Sequence, residues 1–296
     1  METIFPTLSR KVAVPMQQQR LELDDGDFLD LYWKIKGNEN LVILCHGLEG
    51  DAERMYMQGM VRALQDDFDC LSFNYRGCGT EMNRLRRFYH SGATDDLQRV
   101  VEAAQARGYD HLFLVGFSLG GNLTLRYLGE QGKDSGIKAA VAISTPLDLY
   151  GCTIELHKRH NKIYHDRFLK SLKEKVRRKA KLREGDFDLQ ALGRLKTLWD
   201  FDDQFTAPIA GFEGAKDYYT KCSSGAVLDH IQVPTMILNA KNDPFLSDTC
   251  YAEHYQLSHD NIQFLQPDFG GHVGFFQFGG RYYSEMVTHS FLVDQR

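Results

Sequence analysis

The run Leu112-Phe113-Leu114-Val115 breaks at Gly116 and, past Gly120, resumes as Leu123-Thr124-Leu125-Arg126-Tyr127-Leu128. An apolar stretch that halts on glycine and restarts with helical character reads as a buried strand turning sharply into a helix. Gly116-Phe117-Ser118-Leu119-Gly120 fills the turn, which is the strand–GxSxG–helix pattern. Such a turn brings backbone segments too close for side chains, so small residues flank it. The serine is left at the apex with its hydroxyl exposed. The amides from Leu119 onward open a helix, and unpaired N–H groups at a helix start stabilise negative charge.

Strand-like and helix-like stretches alternate on both sides of this turn. Arg20-Leu21-Glu22-Leu23 and Phe28-Leu29-Asp30-Leu31-Tyr32-Trp33 flank Asp24-Asp25-Gly26-Asp27, a hairpin signal. Leu41–Cys45 is apolar throughout, as a strand covered on both faces would be, and His46-Gly47-Leu48-Glu49-Gly50 follows it. A helix is expected over 53–64, a strand over 70–75, and a helix from Thr94, as cap, to Arg107, where Gly108 stops it. Strands are expected again over 138–144, 233–240 and 261–265. This rhythm predicts an α/β fold, a mostly parallel sheet with helices on both faces.

The rhythm is interrupted once. From Pro146 to Val233 the chain is helical, polar and aromatic, so a helical cap (146–233) is expected to be inserted into a core formed by 1–145 and 234–296. Within it, 158–183 carries twelve Lys or Arg against Asp166 and Glu174, a local charge of +10 in a chain whose net charge is −5. A solvated helix face is the first reading, and a surface for anionic lipid or acidic substrates the second.

Composition narrows the class further. With 296 residues, 43% hydrophobic and 25% charged, the chain suits one large domain with an insertion. The mild negative charge gives no pull towards nucleic acid. Met1–Thr7 has neither the basic nor the apolar segment of a leader, and no apolar run reaches the ~18 residues of a membrane span. The six cysteines are scattered without metal spacing, which fits reduced thiols in a cytoplasmic protein; a single disulfide in a periplasmic one is the alternative.

A serine hydroxyl needs a general base, and the base needs an orienting acid. In parallel sheets ligands gather beyond the carboxyl ends of strands, which filters the candidates. His272, in Gly270-Gly271-His272-Val273-Gly274, follows the last strand. Asp243, in Asn242-Asp243-Pro244, follows the penultimate one; Asp248, as a helix cap, and Asp268 are its rivals. The order Ser118, Asp243, His272 is that of α/β-hydrolases. The amides of Leu119 and Leu48 are candidate donors to an oxyanion, with His46 holding its loop through its ring. Phe269, Phe275, Phe276 and Phe278 are read as acyl-pocket lining or as packing for the last helix. Tyr75 and Arg76 are read first as turn anchors and second as substrate contacts.

These segments, with Asn74-Tyr75-Arg76-Gly77-Cys78-Gly79, Tyr89-His90-Ser91-Gly92, Phe201-Asp202-Asp203, Thr206-Ala207-Pro208 and Asp217-Tyr218-Tyr219, resemble the AB hydrolase-4 family, the embryogenesis-associated or YheT-like α/β-hydrolases. The resemblance runs from Leu41 to His272. It implies an eight-stranded core, a Ser-Asp-His triad at Ser118, Asp243 and His272, and carboxylester or acylglycerol hydrolysis. Eukaryotic members usually carry an N-terminal membrane anchor; its absence here favours a soluble bacterial-type member.

The expected activity is therefore that of a serine carboxylic-ester hydrolase acting on a small ester or acyl lipid, with no metal or organic cofactor implied. A thioesterase or acyltransferase using the same residues, and a non-catalytic lipid-binding module on the same fold, are the alternatives.

Overall fold

The computed structural model describes residues 12–296. The leader reading of Met1–Thr7 lies outside the described residues. Eight strands form one sheet, in spatial order β1-β2-β4-β3-β5-β6-β7-β8. They are β1 (Gln17–Glu22), β2 (Phe28–Lys34), β3 (Asn40–Cys45), β4 (Asp69–Asn74), β5 (His111–Phe117), β6 (Ala139–Ile143), β7 (Thr235–Leu238) and β8 (Ile262–Leu265). β1, β2 and β4 pair antiparallel, and every pairing from β4 onward is parallel.

Strict alternation along the central strands divides the core into two layers. Leu41, Ile43 and Cys45 of β3 face one layer with Leu112 and Leu114 of β5, while Val42 and Leu44 face the other with Phe113, Val115 and Phe117. Helices α1 (Met55–Leu64), α2 (Thr94–Gln105) and α3 (Leu119–Gln131) follow β3, β4 and β5. α2 and α3 cover the first layer; α1 covers the second, with the C-terminal helix Tyr283–Val293. Continuous apolar strands are stable only when both faces are covered in this way.

Thr94 does not cap α2. The N-cap is Ala93, and the Thr94 hydroxyl donates to Glu130 on α3 at 2.6 Å. Asp95 and Asp96 in the first turn supply the negative charge that favours a helix start.

Between β6 and β7 the described elements are all helical: α4 (Leu149–His157), α5 (Lys162–Leu182), α6 (Leu189–Arg194), a winding stretch over 198–210, and α7 (Ala215–Cys222). Leu169, Leu172 and Val176 of α5 pack with Leu192, Leu198, Phe201 and Phe205 in a cluster of their own. The basic helix is more than a solvated face. Lys175 and Lys179 are buried, Lys175 against Glu49 and Cys78, Lys179 against the carbonyl and amide oxygens of Asn83. Among the described residues, no helix is long and apolar enough to cross a membrane.

Arg76 is a turn anchor, as the first of its two readings had it. Its guanidinium grips Asp96 of α2 at 2.7 and 2.8 Å, Asp25 at 2.7 Å and Asp27 at 3.1 Å, so it joins the β1–β2 turn to the loop after β4. Only 3% of its surface is exposed, which removes it from substrate contact. Removing one partner of a buried charge network leaves the others uncompensated. Arg76→Met is expected to cost about 3–5 kcal/mol in urea unfolding, whereas truncating the exposed Lys133 should cost less than about 0.5 kcal/mol.

Candidate functional site

The carboxyl ends of β3, β5, β7 and β8 open on one edge of the sheet, and their loops meet there. At the end of β5 the backbone turns through Ser118 with φ 52° and ψ −118°, a conformation rare outside glycine. Its neighbours explain the local sequence. A Cβ on Gly116 would collide with the Gly120 carbonyl, and one on Gly120 with the carbonyl of Cys45. Helix, strand β5 and strand β3 therefore approach more closely than any side chain allows. The turn is held from below by the Ser118 amide on the Ile143 carbonyl at 2.8 Å. Asn122, one turn into α3, fixes it laterally by donating to the Ser91 and Cys222 carbonyls and accepting from the Ser224 amide.

Ser118, Asp243 and His272 come together over this turn. His272 Nε2 lies 2.9 Å from Ser118 Oγ, and Nδ1 lies 2.9 Å from Asp243 Oδ2. Asp243 is buried and also accepts from the Phe245 amide at 2.9 Å, so its carboxylate has a fixed direction. The two loops are tied to each other, because the Gly271 amide donates to Asn242 Oδ1 at 2.9 Å. The Val273 amide donates to Ser144 Oγ at 2.9 Å, and the Phe245 ring lies 4.3 Å from the imidazole. The rivals stand elsewhere. Asp248 opens a short helical turn at the surface, where Ser247 is the N-cap, and Asp268 pairs with Lys241 at 2.8 Å.

The loop after β3 passes directly over the serine: a Cβ on Gly47 would lie 3.3 Å from that of Ser118. The Gly47 amide donates to the Tyr56 hydroxyl, Glu49 to the Tyr89 hydroxyl and Gly50 to the Gly47 carbonyl. Among the described residues, no partner is found for the Leu48 amide between them. The Leu119 amide is at the first position of α3, where helix geometry provides no acceptor.

Glu49 secures this loop with its side chain. Its carboxylate receives the Lys175 ammonium, the Ser171 hydroxyl at 2.7 Å and the Tyr89 hydroxyl at 2.8 Å. Burial opposes its charge, but Lys175 and the two hydroxyls prevail and hold the carboxyl below the usual range. Sequence reasoning missed this clamp, although Lys175 and Lys179 fall at helical spacing with Leu172 and Val176.

Ser118 stands between two spaces. A cavity of about 130 Å³ runs under the inserted helices, walled mainly by apolar residues such as Leu156, Phe168, Leu172 and Val176. A larger cleft of about 680 Å³ also reaches Ser118, bordered by Asp51, Glu53, Arg54 and Arg167. None of the four phenylalanines around His272 lines either space. Phe275 is in the core beneath the sheet, Phe276 packs on Tyr282, and Phe269 and Phe278 are 73% and 92% exposed. Among the described residues, no three His, Cys, Asp or Glu side chains are grouped to hold a metal ion.

His46 does its work through its ring. Fully buried, it faces the Gly47 carbonyl from Nδ1 at 2.8 Å and accepts the Tyr75 amide at Nε2 at 3.3 Å, so the proton is assigned to Nδ1. Burial pushes its pKa from 6.5 down to about 3. A base kept neutral when folded but free to protonate when unfolded draws the equilibrium towards unfolding in acid. Its stabilising contribution is whole above pH 6.5 and is lost as pH falls from there towards 3. Between pH 6 and 4 stability should decline by about 1.4 kcal/mol per pH unit for this one proton. Urea unfolding across that window should show His46→Gln with a slope shallower by about one proton.

Comparison with known proteins places this architecture. Residues 40–278 match the family model described as the alpha/beta hydrolase fold. The chain is 35% identical over 285 residues to YheT of Escherichia coli K12, provisionally named an esterase, covering 93% of this chain and 83% of that protein. It is 27% identical over 293 residues to the embryogenesis-associated protein EMB8 of Picea glauca, covering 92% of this chain and 64% of that protein. With a monoacylglycerol lipase of Saccharomyces cerevisiae it shares 28% over 257 residues, covering 83% of this chain and 57% of that one. The chain thus spans most of YheT but less than two thirds of the latter two. Among solved structures, the Pyrococcus furiosus esterase Pf2001 superposes with a TM-score of 0.62 at 16% identity, covering 97% and 98% of the two chains, a likeness of fold.

Proposed function

The chain belongs to the α/β-hydrolase fold family, in its AB hydrolase-4 branch, and from that premise we propose that it is a serine ester hydrolase with Ser118 as nucleophile. The observation that carries the reading is the continuous relay from Ser118 Oγ through the His272 ring to the buried Asp243, beside an apolar cavity. His272 Nε2 takes the Ser118 proton as Oγ attacks the ester carbonyl, and Asp243 keeps the other ring proton on Nδ1. The Leu48 and Leu119 amides receive the oxyanion. The histidine then returns the proton to the leaving alkoxide, and water repeats the sequence on the acyl-enzyme.

The esterase and lipase names of the relatives favour an ester or acyl lipid as substrate. In this reading 146–233 act as a cap over a core of 1–145 and 234–296. The exposed basic residues of α5, Lys170, Arg177, Arg178 and Lys181 among them, would allow a weak contact with anionic lipid surfaces, and the location is cytoplasmic.

Ser118→Ala should abolish hydrolysis of p-nitrophenyl esters and labelling by a fluorophosphonate. Residual turnover above about a thousandth of wild type would mean that another group attacks. Asp243→Asn should lower kcat by several powers of ten, because the amide favours the wrong imidazole tautomer. Asp248→Asn should change kcat by less than about threefold, as for a substitution at an exposed site. The reverse ranking of these two would assign the acid to Asp248.

A further inference from the structure

The apolar cavity contains one group that ester hydrolysis gives no task. Among the residues lining it, Asp202 is the only carboxyl. It stands where the chain widens into a π-helical segment, Asp202–Thr206, a distortion frequent at functional sites. Asp202 is half-buried and lines the cavity. Its oxygens accept from the Thr206 and Tyr219 hydroxyls, each at 2.6 Å, and among the described residues it joins no ion pair. Burial pushes the carboxyl up to about 6, against those two hydroxyls.

A half-buried carboxyl without a cation is a costly way to hold two hydroxyls, since a neutral acceptor would serve. Each of its oxygens keeps a lone pair after one accepted bond, so the group can still accept from the cavity side. Tyr218, donating to Ser91 Oγ at 2.8 Å, continues the polar wall. Leu156, Phe168, Leu172 and Val176 elsewhere in the lining offer only apolar contact, and the Lys175 ammonium that also lines the cavity is taken up by Glu49 and Cys78. A plain alkyl chain seated here would strip water from Asp202 and give nothing back, and that penalty is what makes hydrogen-bonding sites reject unsubstituted analogues.

We propose that Asp202 is a specificity-determining residue, and that the cavity takes acyl groups carrying a hydroxyl remote from the ester carbonyl. The proposal rests on the hydrolytic reading above. A hydroxyl needs one acceptor, which Asp202 provides; an ammonium would bring three donors into a mostly apolar chamber. The cavity, about 130 Å³, is close in size to one known to hold a benzene ring, which suits a chain of about six carbons.

The test compares ethyl esters of hexanoate, 6-hydroxyhexanoate and 6-aminohexanoate, together with the eight-carbon set. Wild type should show kcat/KM at least about tenfold higher for a hydroxy ester than for its plain counterpart, as expected of a hydrogen bond to a charged acceptor. Asp202→Leu should erase that ratio, and Asp202→Asn, which keeps an acceptor without the charge, should leave an intermediate one. No hydroxyl preference in wild type at either length, or a preference untouched by both substitutions, overturns the proposal. A greater preference for the amino esters overturns it in favour of a cation site. Binding of 8-hydroxyoctan-2-one and octan-2-one, measured calorimetrically, reads the same cavity without hydrolysis. Tighter binding of the hydroxyketone by a protein that cleaves no ester would refute the hydrolytic reading and uphold the cavity's preference; equal binding would overturn the latter.

Discussion

The close approach of three backbone segments at Gly116, Gly120 and Cys45 is the constraint on which the rest of the molecule depends. It forces Ser118 into a backbone conformation that costs on the order of 1–3 kcal/mol, and such strain persists only where its surroundings leave no alternative. β5 supplies that rigidity by pairing with β3 on one side and β6 on the other. The chain turns from β3 to β4 in one direction and to β5 in the other, so the serine rises at the point where the strand order reverses. That position leaves a crevice above the carboxyl ends, the one place where loops from distant strands can converge without crossing the core.

The helices between β6 and β7 are bound into this arrangement rather than resting on it. Glu49 adjoins Leu48, and its carboxylate is saturated by Lys175 and Ser171 from α5 and by Tyr89 from the loop before α2. Glu49 itself has a positive φ of 53°, so side-chain clamping and backbone strain coincide in a single residue. An inserted helix therefore fixes the loop that crosses Ser118. Displacing α5 would leave the Glu49 carboxylate without its cation, so the helix is held to this loop by more than apolar packing.

The sheet was legible because its central strands are covered on both faces: Leu41–Cys45 and Leu112–Val115 are apolar without interruption, which few other structures tolerate. The convergence of Asp243 and His272 was legible from topology alone, as the ends of parallel strands leave few places for a side chain to reach the serine. What composition concealed was direction. Twelve basic residues between 158 and 183 suggest a solvated face, yet the helical period turns Lys175 and Lys179 inward with Leu172 and Val176. The aromatic residues near His272 misled for a related reason. Proximity in sequence said nothing of which side of the loop each ring takes, and Phe245, from the neighbouring loop, is the ring that meets the imidazole. The cavity walls were illegible because they are contributed by helices tens of residues away, packed by long-range contacts that no local pattern records.

The two spaces beside Ser118 also order the reaction in the proposed hydrolysis. An ester bound across the serine would place one end in the apolar cavity of about 130 Å³ and the other in the larger, more polar cleft of about 680 Å³. Once the acyl bond to Oγ forms, an acyl chain seated in the apolar cavity leaves the cleft as the route for the departing alcohol. The same opening then admits water, and His272 lines both spaces. Its Nε2, already 2.9 Å from Oγ, has to release the proton outward and afterwards take one from a water arriving along the same path. The apolar walls supplied by α5, which Glu49 holds in place through Lys175 and Ser171, thus favour the acyl chain on one side of Ser118 and leave the more polar cleft for water in the proposed hydrolysis.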